Sequence, residues 1–362
     1  TMESVVVYID KLRMGAMTNS TGFYSISMPP GQYRIEYRMM GMKSASRNVM
    51  IYSDGSLDVS LTESPSEIDA VVISANRENN VRNTRMGIEK INVKMLKQIP
   101  LGLGEADLLK STLMLPGIQT VGEASSGFNV RGGSTDQNLI LLNQAPIINA
   151  SHFFGFFSAF NSDMISDVTL FKSGMPAKYG GRLSSVMEIV PSEGNREKIK
   201  VSGGISPVTG RLMIDGPVIK DKVFLILGAR TTYSDWLLEM IDDERLKNSS
   251  AGFYDLQGTL TAEINKNNTL SLSGYYSDDR FDYFMESGFR YGNNAATLRW
   301  KHSFGKRFSV QYSAIMSNYS YRLTSSADSA EANHTYYDIR QKIGRADFLL
   351  NNSSKNKLEF GI

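Results

Sequence analysis

The chain has no cysteine among its 362 residues. That excludes disulfides and thiol catalysis together, and it leaves the redox compartment open. Histidine is almost as scarce: His152, His302 and His334 lie in separate segments, none with a second histidine or a carboxylate at metal-site spacing. No metal and no cofactor is therefore expected. Although 41% of the residues are hydrophobic, no stretch approaches the roughly 18 to 20 consecutive apolar residues of a membrane-spanning helix. A helical membrane protein is excluded. A β-barrel is not, because its outward residues only alternate with polar ones. An excess of one charge is missing too: 39 basic residues face 37 acidic ones, which leaves no basic field for nucleic acid. Ser151 and His152 are adjacent, but no G-x-S-x-G elbow exists and no third partner can be argued, so no enzyme is expected.

What is present is strand periodicity, in a chain long enough for two or three domains. Residues 1–62 read as short strands, with Tyr24, Ile26 and Met28, then Tyr33, Ile35 and Tyr37, alternating on either side of a Pro-Pro-Gly turn. The pattern predicts a small β-sandwich. ESPSE (63–67) has the composition of a linker. A short β-prone run follows, Ile68, Asp69, Ala70, Val71, Val72, Ile73 and Ser74, and then the polar ANRENNVRN. It is either the last strand of the sandwich or an extended peptide open to strand addition.

A further domain begins near residue 81. GEADLLKSTLML (104–115) carries Leu108, Leu109, Leu113 and Leu115 at near-helical spacing and stops at Pro116-Gly117. Arg131, Gly132 and Gly133 form a turn after the strand-like FNV. NASHFFGFFSAF (149–160) places five Phe in twelve residues, which reads as packing or as a ligand-facing apex with Asn149, Ser151 and His152 exposed.

After Asn195 the alternation persists. Tyr254, Leu256, Leu260 and Ile264 alternate with Asp255, Gln257, Thr261 and Glu263; Leu270 and Leu272 alternate with Ser271 and Ser273; Leu298 and Trp300 alternate with Thr297 and Arg299. Short links at 216–222, 265–268, 303–306 and 352–357 take turns with longer polar stretches at 234–250, 278–291 and 323–335. Long loops at one end and tight turns at the other point to an outer-membrane barrel, polar inside and apolar towards lipid. The acidic clusters Asp242-Asp243-Glu244 and Asp278-Asp279 then fall in loops as solvated charge.

LPGIQ (115–119), FNVRGG (128–133), DQNLILLNQAPI (136–147) and DVTLFKSGMPAKYGGRLSSVMEI (167–189) occur in one order, ahead of the strand-rich part. On these motifs the chain resembles the TonB-dependent outer-membrane receptors, and within them the Bacteroidetes type. TNSTGFYSISMPPGQYRIEY resembles the carboxypeptidase-regulatory-like domain that precedes the plug there, a regulatory module without peptidase chemistry. The resemblance implies a mainly β chain in four parts: a β-sandwich over 1–62, expected to lack its first strand; a linker over 63–80; an α+β plug over 81–191; and over 192–362 the first eight or nine strands of a transmembrane barrel. Barrels of the family close with 22 strands, so the chain is expected to be the N-terminal part of a longer protein. The start TMESVVVYID shows no basic region before an apolar core, so an export signal is expected to have been removed.

The resemblance also assigns roles. Ile68 through Ser74 becomes the TonB box, captured by the periplasmic protein TonB. Arg131, Gly132, Gly133, Asn149, Ser151 and His152 become ligand-facing plug residues. The expected function is energy-coupled import of an oligosaccharide, siderophore, cobalamin or peptide across the outer membrane of a Gram-negative bacterium, with the N-terminal domain in the periplasm. The alternative is a plugged barrel of the surface or of a secretion system that imports nothing. Outer-membrane lipid, the nutrient and a surface lipoprotein are the further implied partners. IDAVVISANRE departs from the Val-rich box with a Gly-Tyr-Gly ending that marks glycan importers with a lipoprotein lid.

Overall fold

The computed structural model describes residues 2–9, 12, 14–39, 42, 44–61, 87–91, 93, 105, 107–121, 127–284, 287–305, 307–325, 333–352 and 356–362. Two compact units divide the chain, Thr1–Thr84 and Arg85–Ile362. The first holds an antiparallel sheet of β1 (Val6–Ile9), β2 (Met14–Met17), β3 (Gly31–Arg38) and β4 (Ala45–Ile51), in the order β2-β1-β3-β4. Period-two alternation gives the sheet one apolar face: Val7, Ile9, Tyr33, Ile35 and Tyr37 are buried. Tyr24, Ile26 and Met28, and Leu57, Val59 and Leu61, pack onto that face from extended segments that add no strand to the sheet. The Tyr24 and Tyr37 hydroxyls meet at 2.8 Å, which closes the layer with a satisfied polar pair.

The second unit contains the part expected to be the plug. Its five-stranded sheet runs β5 (Ile88–Ile91), β12 (Ile165–Phe171), β13 (Ser185–Pro191), β8 (Asn138–Leu142), β9 (Ala145–Pro146), with β8 and β13 parallel and the other pairs antiparallel. β6 (Ile118–Thr120) pairs with β7 (Phe128–Val130), and β10 (Ser151–His152) with β11 (Phe157–Ser158). A helix, α1 (Leu108–Thr112), sits ahead of β6. It is shorter than the 104–115 periodicity predicts because Asp107 takes the N-cap, accepting from the Lys110 N–H at 2.9 Å. Glu105 is thereby left outside the helix. Turn hydrogen bonds carry the chain on to Leu115, and Gly117 at φ +81° completes the reversal. Leu108, Leu109, Phe128, Phe160, Leu170, Met187 and Ile189 form the core, each contributing roughly 1.5–3 kcal/mol by leaving water.

Nine antiparallel strands follow in sequence order: β14 (Lys200–Ile205), β15 (Thr209–Ile219), β16 (Val223–Thr232), β17 (Ser250–Asn265), β18 (Asn268–Tyr283), β19 (Ser287–Phe304), β20 (Phe308–Ser325), β21 (Asn333–Asn351) and β22 (Lys357–Gly361). Their register sorts the side chains into two faces. One buries Asp255, Gln257, Thr259, Thr261, Ser271, Ser273, Ser277, Asn293 and Thr297, and contributes Tyr275, Ala295 and Ile315 to the plug core.

The opposite face is built in rows. Gly274, Ala296 and Met316 stand abreast with Lys342; then Leu272, Leu298, Ala314 and Gly344; then Leu270, Trp300, Tyr312 and Ala346. Below these come His302 and Phe348, then Phe304 and Phe308 at a tight turn. Five rows at about 6.7 Å per pair of residues span about 27 Å along the strands, or about 21 Å of height at a tilt of roughly 40°. Leu256, Leu272, Leu298, Trp300 and Met316 are all more than one-third exposed there, as a lipid-facing band requires.

The loops depart from the sequence reading in two places, the lesser being 323–335, whose ends Leu323–Ser325 and Asn333–Thr335 pair within β20 and β21. Residues 278–291 are not a long loop: β18 and β19 pair through Tyr283 and Ser287. Cross-strand packing of Phe281 on Phe289 at 5.2 Å and the Arg290–Asp278 ion pair at 2.6 Å extend the hairpin beyond the apolar band. Asp278 and Asp279 accordingly lie in a strand, on opposite faces.

Candidate functional site

The contact between plug and wall is a seam of buried polar groups, built from the β10–β11 hairpin. Ser151 and His152 pair with Ser158 and Phe157, and the reversal between them uses Phe153 at φ +49° and Gly155 at φ +99°. Phe153 bears a strain that only Gly avoids. The surroundings hold it: its N–H donates to Asp279 Oδ1 at 3.0 Å, and its ring lies among Phe156, Phe157 and Phe253.

This turn drives His152 into the wall. Its Nδ1 lies 2.7 Å from Asp279 Oδ2 and its Nε2 3.2 Å from Asp255 Oδ2, with the Tyr275 hydroxyl 3.3 Å from Nε2. The imidazole stacks on Phe253, ring centres 4.2 Å apart and planes 8° off parallel. Arg230 continues the chain of charge. Its Nε donates to Asp255 Oδ2 at 2.9 Å, Nη1 to Glu105 Oε2 at 3.3 Å and Nη2 to the Ser158 carbonyl at 3.0 Å. Glu105 also accepts from Thr209 Oγ1 at 2.7 Å, and Asp107 from the Ser158 N–H at 2.9 Å. Further along, Asn293 Nδ2 donates to the Asn149 carbonyl at 2.8 Å, Asn143 to Ser273 Oγ, and Ser317 to the Pro146 carbonyl.

Glu105, Asp107, Asp255 and Asp279 are each less than a tenth exposed, and so are Arg230 and His152. Arg230 meets Glu105 and Asp255, whereas Asp279 meets His152. Burial alone would lower the His152 pKa, but the charges of Asp279 and Asp255 outweigh it and leave the pKa raised. The raised pKa favours the imidazolium form, which faces Asp279 and Asp255. Burial pushes the Asp107 carboxyl up, against the two backbone N–H groups it accepts from and the nearby Lys110 and Arg230 charges. Among the described residues no group of three or more His, Asp or Glu is placed to hold a metal.

The residues singled out in the sequence fall in three places. Ile68 through Ser74 lies outside the described residues. Arg131 (φ +52°) and Gly132 (φ +80°) form an exposed turn after β7, and Gly133 is pressed on Ser184, whose Oγ would stand 2.3 Å from an added Cβ. Asn149 borders a cavity of about 1380 Å³ between the β8–β9 side of the plug and β19–β22, with Tyr179, Arg182, Gln341 and Arg345 around it. Ser151 is buried, its hydroxyl donating to Asn149 Oδ1 at 2.8 Å, so it makes no pair with His152. The structure brings His152 together instead with Glu105, Arg230, Asp255, Tyr275 and Asp279, of which sequence reading took Asp279 for solvated loop charge and named none as a site residue. Asp255 and Asp279 were visible as carboxylates on the polar side of the alternation; the extended hairpin hid the second.

Sequence reading also missed an aromatic shelf. On the plug-facing side of the strand extensions, Tyr291, Tyr321 and Tyr337 are direct cross-strand neighbours, as are Phe281, Phe289 and Leu323.

Comparison with known families matches residues 1–73 to the CarboxypepD_reg-like domain and residues 80–185 to the TonB-dependent receptor plug domain. The first match reaches through Ile73, beyond the expected boundary at 62. No curated protein sequence matches the chain. Among solved structures, a ferric enterobactin receptor (PfeA) mutant from Pseudomonas aeruginosa aligns at TM-score 0.55 and 14% identity, over 79% of this chain and 49% of that one. The copper transporter OprC aligns at 0.56 and 13%, over 76% and 44%. The outer-membrane transporter YddB from Escherichia coli aligns at 0.52 and 12%, over 76% and 47%. At such identities the likeness is one of fold, and the chain spans about half the length of these structures.

Proposed function

Starting from a chain whose domains and fold are those of a TonB-dependent receptor, we propose that it serves energy-coupled import of a nutrient across a Gram-negative outer membrane, with residues 1–62 in the periplasm. The observation that carries this reading is the polar seam. A stopper meant to stay put gains most from an apolar contact with its wall, whereas charged and amide pairs exchange for water at modest net cost. A seam centred on His152, Arg230 and their carboxylates holds the plug at rest and can be re-wetted when the plug is pulled.

In this reading Ile68 through Ser74 is the coupling peptide, taken by TonB as an added strand through backbone groups alone. The exposed Arg131-Gly132-Gly133 turn and Asn149 face the ligand, and Ser151 and His152 act beneath them by fixing the Asn149 segment to the wall. The aromatic shelf of Phe281, Phe289, Tyr291, Tyr321 and Tyr337 supplies flat apolar surface above the plug, suited to a ligand with planar or sugar-ring faces. Siderophore, oligosaccharide, cobalamin and peptide ligands all present such faces.

Deleting residues 68–74 from the full-length receptor tests the assignment. Uptake of the nutrient that supports growth is expected to vanish while binding at the cell surface persists. Retained uptake would overturn the coupling role, and surface assembly that ignores the deletion, with no nutrient dependence at all, would favour the non-importing barrel.

A further inference from the structure

Arg280, Arg290 and Arg322 are direct cross-strand neighbours on β18, β19 and β20. Like charges placed opposite one another across a sheet destabilise it, so three in one row need a reason. All three share the parity of Tyr276, Asn294 and Asn318, which puts them on the outer face, continuous with the apolar band. Arg280 pairs with Asp282 at 2.9 Å and Arg290 with Asp278 at 2.6 Å. No carboxylate among the described residues pairs with Arg322. Between the guanidiniums lies a recess of about 300 Å³, lined also by Ser287, Gly288, Phe289, Thr324 and by Asp282, the carboxylate that pairs with Arg280. In the next strand Arg340 stands abreast of Asn318 and Lys342 abreast of Met316 at the rim of the band, where a lysine reaches up to the headgroups.

Height selects the occupant. Tyr254 and Tyr276, ring centres 5.9 Å apart, sit where the apolar rows end, the usual depth of interfacial tyrosines. The arginine row is one row above Tyr254 and two above Tyr276, about 13 Å along the strand from Tyr276 and about 10 Å in height at a tilt of roughly 40°. A headgroup layer of about 5–8 Å per side ends below that level; a phosphorylated sugar headgroup reaches it. Guanidinium forks match phosphate oxygens two at a time.

We propose that the Arg280–Arg290–Arg322 row is a docking site for the phosphorylated sugar headgroup of an outer-leaflet glycolipid, whose phosphate supplies the counter-charge that Arg322 does not find within the described residues. The proposal rests on the reading of the chain as an outer-membrane barrel.

The test uses the full-length receptor, purified in detergent and titrated with diphosphoryl lipid A, with chemically dephosphorylated lipid A and with inorganic phosphate. Diphosphoryl lipid A is expected to bind at least about tenfold more tightly than its dephosphorylated form, and each of Arg290→Gln and Arg322→Gln to weaken it by about tenfold, the loss of one charge-assisted contact. Arg322→Lys, which keeps the charge and loses the fork, falls between. Equal binding by the Arg290→Gln/Arg322→Gln variant and the wild type overturns the proposal. Occupation by inorganic phosphate as tight as by lipid A overturns it in favour of a free-anion site, and affinity that follows the acyl chains alone overturns it as well. Heat-modifiable migration in gels reports the folded barrel for every variant. A receptor that fails to insert into membranes refutes the barrel reading and the proposal with it, whereas an inserted barrel without arginine-dependent binding refutes the proposal alone.

Discussion

Replacing His152 by Asn removes the imidazolium from between Asp255 and Asp279 and retains one amide donor. Asp255 still has Arg230 at 2.9 Å, but Asp279 Oδ2 loses the 2.7 Å contact that neutralised it. Breaking a buried pair from one side costs on the order of 3–5 kcal/mol. The lower figure corresponds to about a 150-fold change in an opening equilibrium. The hairpin that carries His152 should report it, because local opening governs amide exchange. The N–H of Ala159, which donates to the Ala150 carbonyl at 2.9 Å, and that of Ser158 on Asp107 are the markers. Hydrogen exchange on the full-length receptor is expected to show protection of these amides falling by two orders of magnitude, with exchange in the barrel strands unchanged. Asp279→Asn in the same background should restore part of it, since no uncompensated charge then remains. Unaltered protection in the His152→Asn variant, or zero coupling between the two substitutions, would refute the seam as the plug's anchor.

The pH dependence carries its own sign. The groups facing the imidazole are Asp279 and Tyr275 from β18, Asp255 from β17 and, one contact further, Arg230 from β16. A histidine whose folded pKa is raised contributes stability that is complete below its unfolded value of about 6.5 and is lost as pH climbs through the folded value. The protection difference between wild type and His152→Asn should therefore be widest between about pH 5 and 6.5 and close towards alkaline pH. A difference that grows with pH would contradict an imidazolium in the seam.

Three further outcomes are expected. Leu298→Arg, in the middle rows of the outer face, should lower the stability of the reconstituted barrel by about 2–4 kcal/mol in denaturant titrations, and a loss below half a kcal/mol would place that face away from lipid. Gly133→Ala should destabilise the plug by about 1–3 kcal/mol through overpacking on Ser184, and Ser184→Gly in the same chain should recover most of it. Asp107→Ala removes the α1 cap and the acceptor of the Ser158 N–H together, for a loss of about 1–3 kcal/mol in plug stability, which amide exchange in α1 and β11 would register.

The strand part was legible because solvent writes its period directly: Leu272 faces lipid and Ser273 the plug, two residues that could not trade faces without exposing a hydroxyl to hydrocarbon. The same rule was misapplied at 278–291, where Asp278, Asp279, Arg280 and Asp282 read as loop although Phe281 and Tyr283, then Phe289 and Tyr291, keep the period of two. Ladder hydrogen bonds and the Phe281–Phe289 contact sustain the strand there. The ends of α1 were misjudged for a local reason: Asp107 and the turn at Gly117 cap it, while the leucine spacing beyond Thr112 continues into turns. His152 was noticed and misplaced, since nothing in NASHFFGFF reveals that a positive-φ Phe153 turns the preceding imidazole towards carboxylates more than a hundred residues away.

Under the proposed coupling, the route of the pull follows from sheet order. The first strand after Ser74 among the described residues is β5, and it lies at the edge of the plug sheet, four residues long, paired with β12 alone. Beyond its ladder it is tied by Lys172 Nζ on Glu89 at 3.0 Å and by the Lys172 N–H on the Gly87 carbonyl at 2.7 Å. Tension arriving from the N-terminal side therefore meets an edge strand that detaches pair by pair, each step breaking one or two backbone hydrogen bonds of about 1 kcal/mol net. The central β12–β13–β8 strands would have to break together and stay. Across the seam, the hydroxyls of Thr259, Thr261, Thr297 and Ser313 already have no protein partner among the described residues, so on this side as well the wall gives up little when part of the plug withdraws. An edge strand at the pulled end and a polar contact at the wall make partial removal of the plug cheaper than its release as a rigid body.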